Sequence, residues 1–254
     1  MVNLQKIAVL IDADNTQLGK IEAVMREIST YGRIVVKRAY GNWKKEVLKN
    51  WEEELKRLAI KAEQQFDYVV GKNATDMAMV IGAVDLLHTG IYDAFVLVAS
   101  DSDYTPLATR LHESGVYVIG AGENKTPEAF RNACDDFIFL ENLFNATSKV
   151  KSVAAEESSG ASAIEEKLDQ NAVANIDEIH NLLEIASEKY QNADGFVNVS
   201  SAGTFLKRTK PDFDSRTYEY SKLPDLLAAY PKKYEIKRYH GKGTVTIVAY
   251  KCLS

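Results

Sequence analysis

Between residues 4 and 140, short β-rich apolar runs alternate with helix-like segments, and this alternation restricts the fold more than any other feature. LQKIAVLI, RIVVKRAY, FDYVV, FVLVAS and VYVIGAG read as strands, with FIFL as a last one. Between them lie IEAVMREIST, a long charged helix from Lys44 to Ala62, DMAMVIGAVDLLHT, PLATRLHESG and PEAFRNAC. Short apolar runs bounded by turns fit strands buried on both faces, and strands separated by helices make a parallel sheet covered on either side. In the long helix Val47, Leu48, Trp51, Leu55 and Leu58 share one face. The expected architecture is α/β: a doubly wound parallel sheet of order 3-2-1-4-5.

That topology gives the acids meaning. Asp12 and Asp14 follow the first strand, Asp76 opens the helix after the third, and Asp101 and Asp103 follow the fourth. Strands 1 and 4 are neighbours at the point where the strand order reverses, and ligands of such sheets bind there, beyond the carboxyl ends. Carboxylates facing one another in that crevice repel unless a cation holds them. Mg²⁺ or Mn²⁺ with oxygen ligands, set to hydrolyse a phosphodiester, is the chemistry this arrangement suits. Simpler roles compete. Asp76 also favours a helix N-terminus, Asp103 can cap the helix that starts near Pro106, and Asp14 can be a solvated loop acid.

A rival enzyme fits part of the pattern. IDADNT matches the D-x-D-x-T of haloacid-dehalogenase-type phosphatases, with Asp12 as nucleophile and Asp14 as general acid. Ser100, Lys125 and the pair Asp135–Asp136 would complete it. That pair, however, precedes FIFL and should lie at the amino end of the sheet. A dinucleotide site is weaker still, because DADNTQLG has no glycine-rich turn.

The chain changes character after the last strand. Residues 146–172 read as an acidic flexible linker and divide residues 1–145 from residues 173–254. Formal charge is −5 over 1–145, −2 over the linker and +2 over 173–254. In the second unit Ile176 to Tyr190 is helical, with Ile179, Leu182, Leu183 and Ala186 on one face. GFVNVSSAGTFLKRTKPDFD and YSKLPDLLAAYP follow, then the strands YEIKRYH and TVTIVAY around GKG. Helices followed by a hairpin suggest a small winged helix-turn-helix domain. Cys134 and Cys252 lack metal-ligand spacing and fit a reducing, cytoplasmic setting, with Cys134 reading as a small buried hydrophobe. The four histidines show no zinc pattern. No apolar run is long enough for a membrane span, and the N-terminus does not read as a signal peptide.

IDADN, KNATD and SDSDYTPL, in that order, resemble the NYN family of PIN-like ribonucleases. AYGNW and NACDDFIFLE add a resemblance to its LabA-like bacterial branch. The resemblance, over about residues 4–143, implies a PIN-like sheet and an Mg²⁺- or Mn²⁺-dependent nuclease acting on RNA. Residue by residue, it implies that Asp12, Asp76, Asp101 and Asp103 hold the metal and that Asn15 orients a metal-bound water or a phosphate. One position departs: the bacterial branch often carries another Asp where this chain has Gly82. Residues 175–251 resemble the OST-HTH domain, also called LOTUS, which implies RNA binding or docking of a protein partner.

Candidate contacts to single-stranded RNA follow from placement. Arg38, Trp43, Lys44, Lys45, Lys72 and Lys125 lie near expected loop ends of the catalytic face. Lys207, Arg208 and Lys210 cluster at one helix end, and Lys232, Lys233, Lys237, Arg238 and Lys242 cluster around the hairpin. Tyr218, Tyr220 and Tyr239 are candidate stacking partners or core residues. A binding protein without turnover is the alternative to a ribonuclease.

Overall fold

A computed structural model of the chain describes residues 4–69, 73–143, 170–240 and 246–253. Lys72, Lys242 and nearly all of the linker lie outside the described residues. The chain divides into two compact units, Met1–Val153 and Ala154–Ser254.

In the first unit six strands form one parallel sheet: β1 (Leu4–Asp12), β2 (Gly32–Gly41), β3 (Lys61–Gln64), β4 (Ala94–Val98), β5 (Tyr117–Gly122) and β6 (Asp136–Phe139). Their order is β3-β2-β1-β4-β5-β6, the expected order with the last strand added at the edge. The connecting helices are α1 (Ile21–Ile28), α2 (Trp51–Arg57), α3 (Ala74–His88), α4 (Thr105–Glu113) and α5 (Glu128–Asn132). Side chains alternate across a strand, so β1 serves two cores. Ile7, Val9 and Ile11 pack with Ile21, Val24, Trp51 and Leu55 of α1 and α2. Ala8 and Leu10 pack with Met79, Ala83, Leu107 and Phe130 of α3, α4 and α5. Burial on both faces is why β1 and β4 are nearly continuous apolar runs.

Two expectations fail at the sheet edge. The helix expected from Lys44 to Ala62 is a 3-10 turn at Glu46–Leu48 followed by the short α2. Ala59 adopts a left-handed φ of 51°, and the Ile60 N–H reaches back to the Leu55 carbonyl at 2.8 Å, which closes the helix. The third strand is then KAEQ and not FDYVV. β3 pairs only with β2, and its polar residues suit an edge. Pairing stops at Gly41↔Gln64 because β2 stops there, so Phe66 to Val69 run on past the sheet.

Gly82 lies in α3 where the helix passes over β2. A Cβ at this position would come within 2.2 Å of the Tyr40 hydroxyl oxygen, and Tyr40 is itself buried. Ala normally stabilises a helix interior by about 1 kcal/mol over Gly. Here Gly82→Ala should instead lower stability by about 1–3 kcal/mol through overpacking, as read by denaturant unfolding. Tyr40→Phe in the same chain should recover part of the loss.

The second unit contains α6 (Gln170–Tyr190), β7 (Val197–Asn198), α7 (Val199–Thr209), a 3-10 turn at Ser215–Tyr218, α8 (Leu223–Ala228), β8 (Tyr234–His240) and β9 (Thr246–Cys252). The strands form an antiparallel sheet of order β7-β9-β8, so helices precede a hairpin as the sequence suggests. Ile179, Leu183 and Ala186 of α6 are buried against Leu206, Leu226, Tyr234 and Tyr250. The Asn198 side chain caps α7 by accepting from the Ser200 N–H at 2.9 Å.

Candidate active site

β1 and β4 are hydrogen-bonded neighbours, and the helices that follow them pack on opposite faces of the sheet. A crevice therefore opens at their carboxyl ends. Asp12 is the last residue of β1 and has no exposed surface. Asn15 fixes both its oxygens: its Nδ2 donates to Oδ2 at 2.9 Å and its backbone N–H to Oδ1 at 3.3 Å. Burial pushes the Asp12 carboxyl up to about 6; the Asn15 hydrogen bonds offset part of this, and the charges of Asp76 and Asp14 add to it.

Asp76 lies in the first turn of α3 and accepts from the Tyr104 hydroxyl at 2.8 Å. Burial raises its pKa, the Tyr104 bond opposes the rise, and the negative fields of Asp101, Asp103 and Asp14 add to it. Asp101 follows β4 and accepts from the Asp103 N–H at 3.1 Å, capping the 3-10 turn Ser102–Tyr104. Capping at this corner therefore falls to Asp101 and not to Asp103. Asp103 is exposed and accepts from the Asn73 side chain, which ties the start of α3 to the end of β4.

Two groups in the crevice have partners that the sequence does not reveal. Asp14, which could equally have been a solvated loop acid, is 13% exposed; its Oδ2 accepts from Thr75 Oγ1 at 2.7 Å and from Lys45 Nζ at 3.2 Å. Its Oδ1 is buried with no hydrogen-bond partner. Tyr104 is fully buried, and its hydroxyl lies between Asp12 and Asp76. Its pKa is raised by burial first and then by those two carboxylates, so it stays protonated as a donor. An aromatic residue just after SDSD reads as core, and only its neighbours in space reveal the polar end.

These acids sense one another's charge, yet among the described residues no three His, Cys, Asp or Glu side chains are gathered into a ready metal cage. The donors fit a looser mode. Mg²⁺ is typically held by one or two carboxylates with water and substrate phosphate completing its shell. Desolvated Asp12 and Asp76, with the unpartnered oxygen of Asp14, supply hard oxygen donors in a negative crevice. The acids the phosphatase reading needs lie elsewhere: Asp136 is the first residue of β6 and accepts from Tyr31, and Asp135 accepts from the Val118 N–H at 2.8 Å.

The basic candidates divide. Lys44 and Lys45 follow β2 at the carboxyl end of the sheet, and Lys125 follows β5 there, paired with Glu123 at 2.9 Å. Trp43 is largely structural: its indole N–H donates to the Glu63 carbonyl at 3.1 Å and its ring packs against Trp51. Arg38 lies inside β2, 3.7 Å from the Glu63 carboxylate, and not at a loop end. In the second unit Lys210 is 16% exposed and pairs with Glu178 at 3.0 Å, so it serves the fold. Lys207 Nζ lies 3.5 Å from the Pro211 carbonyl. Arg208, Lys232, Lys233, Lys237 and Arg238 are exposed. Tyr218 packs on Phe213 and Tyr220 against the core, while Tyr239 is exposed.

No curated protein matches the chain. Among solved structures, a protein of unknown function from Vibrio parahaemolyticus is similar at 16% identity and a TM-score of 0.46, over 56% of this chain and 96% of that one. An uncharacterized protein from Nitrosomonas europaea is similar at 22% identity and a TM-score of 0.28, over 41% of this chain and 90% of that one. Family models are more informative. The OST-HTH/LOTUS domain, a type that binds RNA, matches residues 174–246. The NYN domain, a PIN-like nuclease domain, matches residues 6–141, the part that carries the acidic crevice. With that match spanning more than half of its length, the chain belongs to the NYN domain family.

Proposed function

We propose that this protein is a divalent-metal-dependent ribonuclease that hydrolyses phosphodiester bonds of single-stranded RNA, with the C-terminal unit recruiting the substrate. The observation that carries this reading is the set of five acids, Asp12, Asp14, Asp76, Asp101 and Asp103, placed at the β1–β4 switch point of an NYN-family sheet. Asp12 and Asp76 would hold Mg²⁺ or Mn²⁺, with Asp101 and Asp103 beside them. A cation held there would supply an activated water and neutralise charge on the phosphate. The chain's own residues set the geometry. Asn15 holds Asp12 by two bonds, Tyr104 holds Asp76 by one, and the capped 3-10 turn fixes Asp101. Lys44 stands at the catalytic end of the sheet to meet the phosphate chain.

Metal-dependent cleavage of single-stranded RNA tests the proposal. Asp101→Asn keeps the shape and removes the charge, so cleavage should fall by on the order of a hundredfold with the fold intact. Parental cleavage by this variant would sink the assignment. The binding-only alternative draws on the lack of a gathered metal cage among the described residues. It predicts retained RNA binding with no cleavage in any divalent metal.

Metal binding has its own readout. A ligand that binds only the native state stabilises it by about 2.7 kcal/mol at a hundredfold excess over its dissociation constant. The melting temperature should therefore rise across millimolar Mn²⁺, and less so in the Asp101→Asn protein. A flat titration of the parent would rule the metal site out.

A further inference from the structure

Beyond Gln64 the chain leaves the sheet and sets two aromatic rings in water beside the acidic crevice. Phe66 is 51% exposed and Tyr68 is 87% exposed. The segment is anchored at Gln65 and Asp67. The Gln65 N–H donates to the Gly41 carbonyl at 3.1 Å, and Asp67, between the two rings, accepts from Asn42 Nδ2 at 3.1 Å. Asp67 also pairs with Lys45 at 3.3 Å, and the same ammonium reaches Asp14 of the crevice at 3.2 Å. One lysine therefore ties this segment to the candidate active site. Lys44 Nζ lies 5.0 Å from the Phe66 ring centroid.

We infer that Phe66 and Tyr68 form a base-stacking platform that guides single-stranded RNA toward the crevice, with Lys44 as the cation that meets its phosphates and Lys45 as the anchor that holds the segment. The inference rests on the ribonuclease reading and names how that site takes its substrate. Exposed aromatic rings with an ammonium group beside one of them match a flexible strand whose bases offer π-faces and whose backbone is anionic. A duplex buries its base faces and offers nothing for the rings to stack on. Fixed backbone with free rings is the other requirement, since a stacking partner already in place loses little freedom when the base arrives.

Photo-crosslinking of the full chain to a 5-iodouridine-substituted single-stranded oligoribonucleotide in EDTA reads placement without catalysis. Crosslinks are expected at Phe66 and Tyr68, displaced by unlabelled single strand and not by blunt duplex. Both rings are exposed, so Phe66→Ala/Tyr68→Ala should melt as the parent does. Its KM for RNA cleavage should rise about tenfold or more, the loss falling in KM and not in kcat. No crosslink between residues 65 and 69 together with a parental KM would overturn the inference and leave the rings to a protein partner. A parent that crosslinks there but cleaves nothing keeps the platform and removes the ribonuclease reading instead.

Discussion

Asp12→Asn should melt roughly 5–10 °C above the parent at pH 7.5 in EDTA and cleave RNA at least on the order of a hundredfold more slowly. The two effects share one cause. Asp12 is fully buried, and its carboxyl is pushed up from 3.8 to about 6. A raised carboxyl pKa means the folded state binds the proton more tightly than the unfolded chain. The stability this confers is fully present below about pH 3.8 and is lost as pH rises through about 6. Above that window the charged group costs about 3 kcal/mol, at 1.36 kcal/mol per unit. Asn carries no charge to desolvate, and its carbonyl oxygen can still accept from Asn15. The gap between the two proteins should therefore shrink to about a third at pH 4.5 and close below about pH 3.8, and Mn²⁺ should raise the parent's melting temperature while leaving the variant's nearly still. A variant no more stable than the parent at pH 7.5 would show that Asp12 is not held desolvated.

RNA affinity of residues 173–254 should fall about a hundredfold between 50 and 200 mM salt. Single-stranded RNA gives a logarithmic slope of about −0.7 per phosphate contact. The exposed cations Arg208, Lys232, Lys233, Lys237 and Arg238, all engaged, give about −3.5. Lys210 is left out because Glu178 neutralises it within the fold. In the full chain, Lys237→Ala/Arg238→Ala should flatten the slope by about 1.4. Residues 1–145 alone carry net −5 and should keep cleavage while losing affinity, since the second unit raises the local RNA concentration through the linker. Salt-independent binding, or none at low salt, would make protein docking the role of this domain.

The fold was legible where burial is two-sided. β1, β4, β5 and β6 are apolar because each lies between two layers of helices, and such runs name themselves. β3 was not legible, because an edge strand such as KAEQ carries the polarity of its exposure, while the apolar FDYVV beside it imitates a strand. The charged pattern from Lys44 to Ala62 continues past Ala59, and nothing in residue type announces a left-handed φ at an alanine. The acids of the crevice could be read because strand ends fix where they point. Tyr104 and Thr75 could not, since their roles depend on Asp76 and Asp14, brought to them from 28 and 61 residues away. Lys210 shows the same limit for charge: sequence gives the sign and omits the partner.

The notch at Gly82 has a consequence for descent. Tyr40 fills the space that any side chain at position 82 would need, and both residues face the β2–α3 contact behind the crevice. Neither position can drift alone: a larger residue at 82 demands a smaller one at 40, and the reverse. Among kin of this chain, those that keep an acid at the position of Gly82 should have given up the tyrosine, so the two sites would be inherited as a pair.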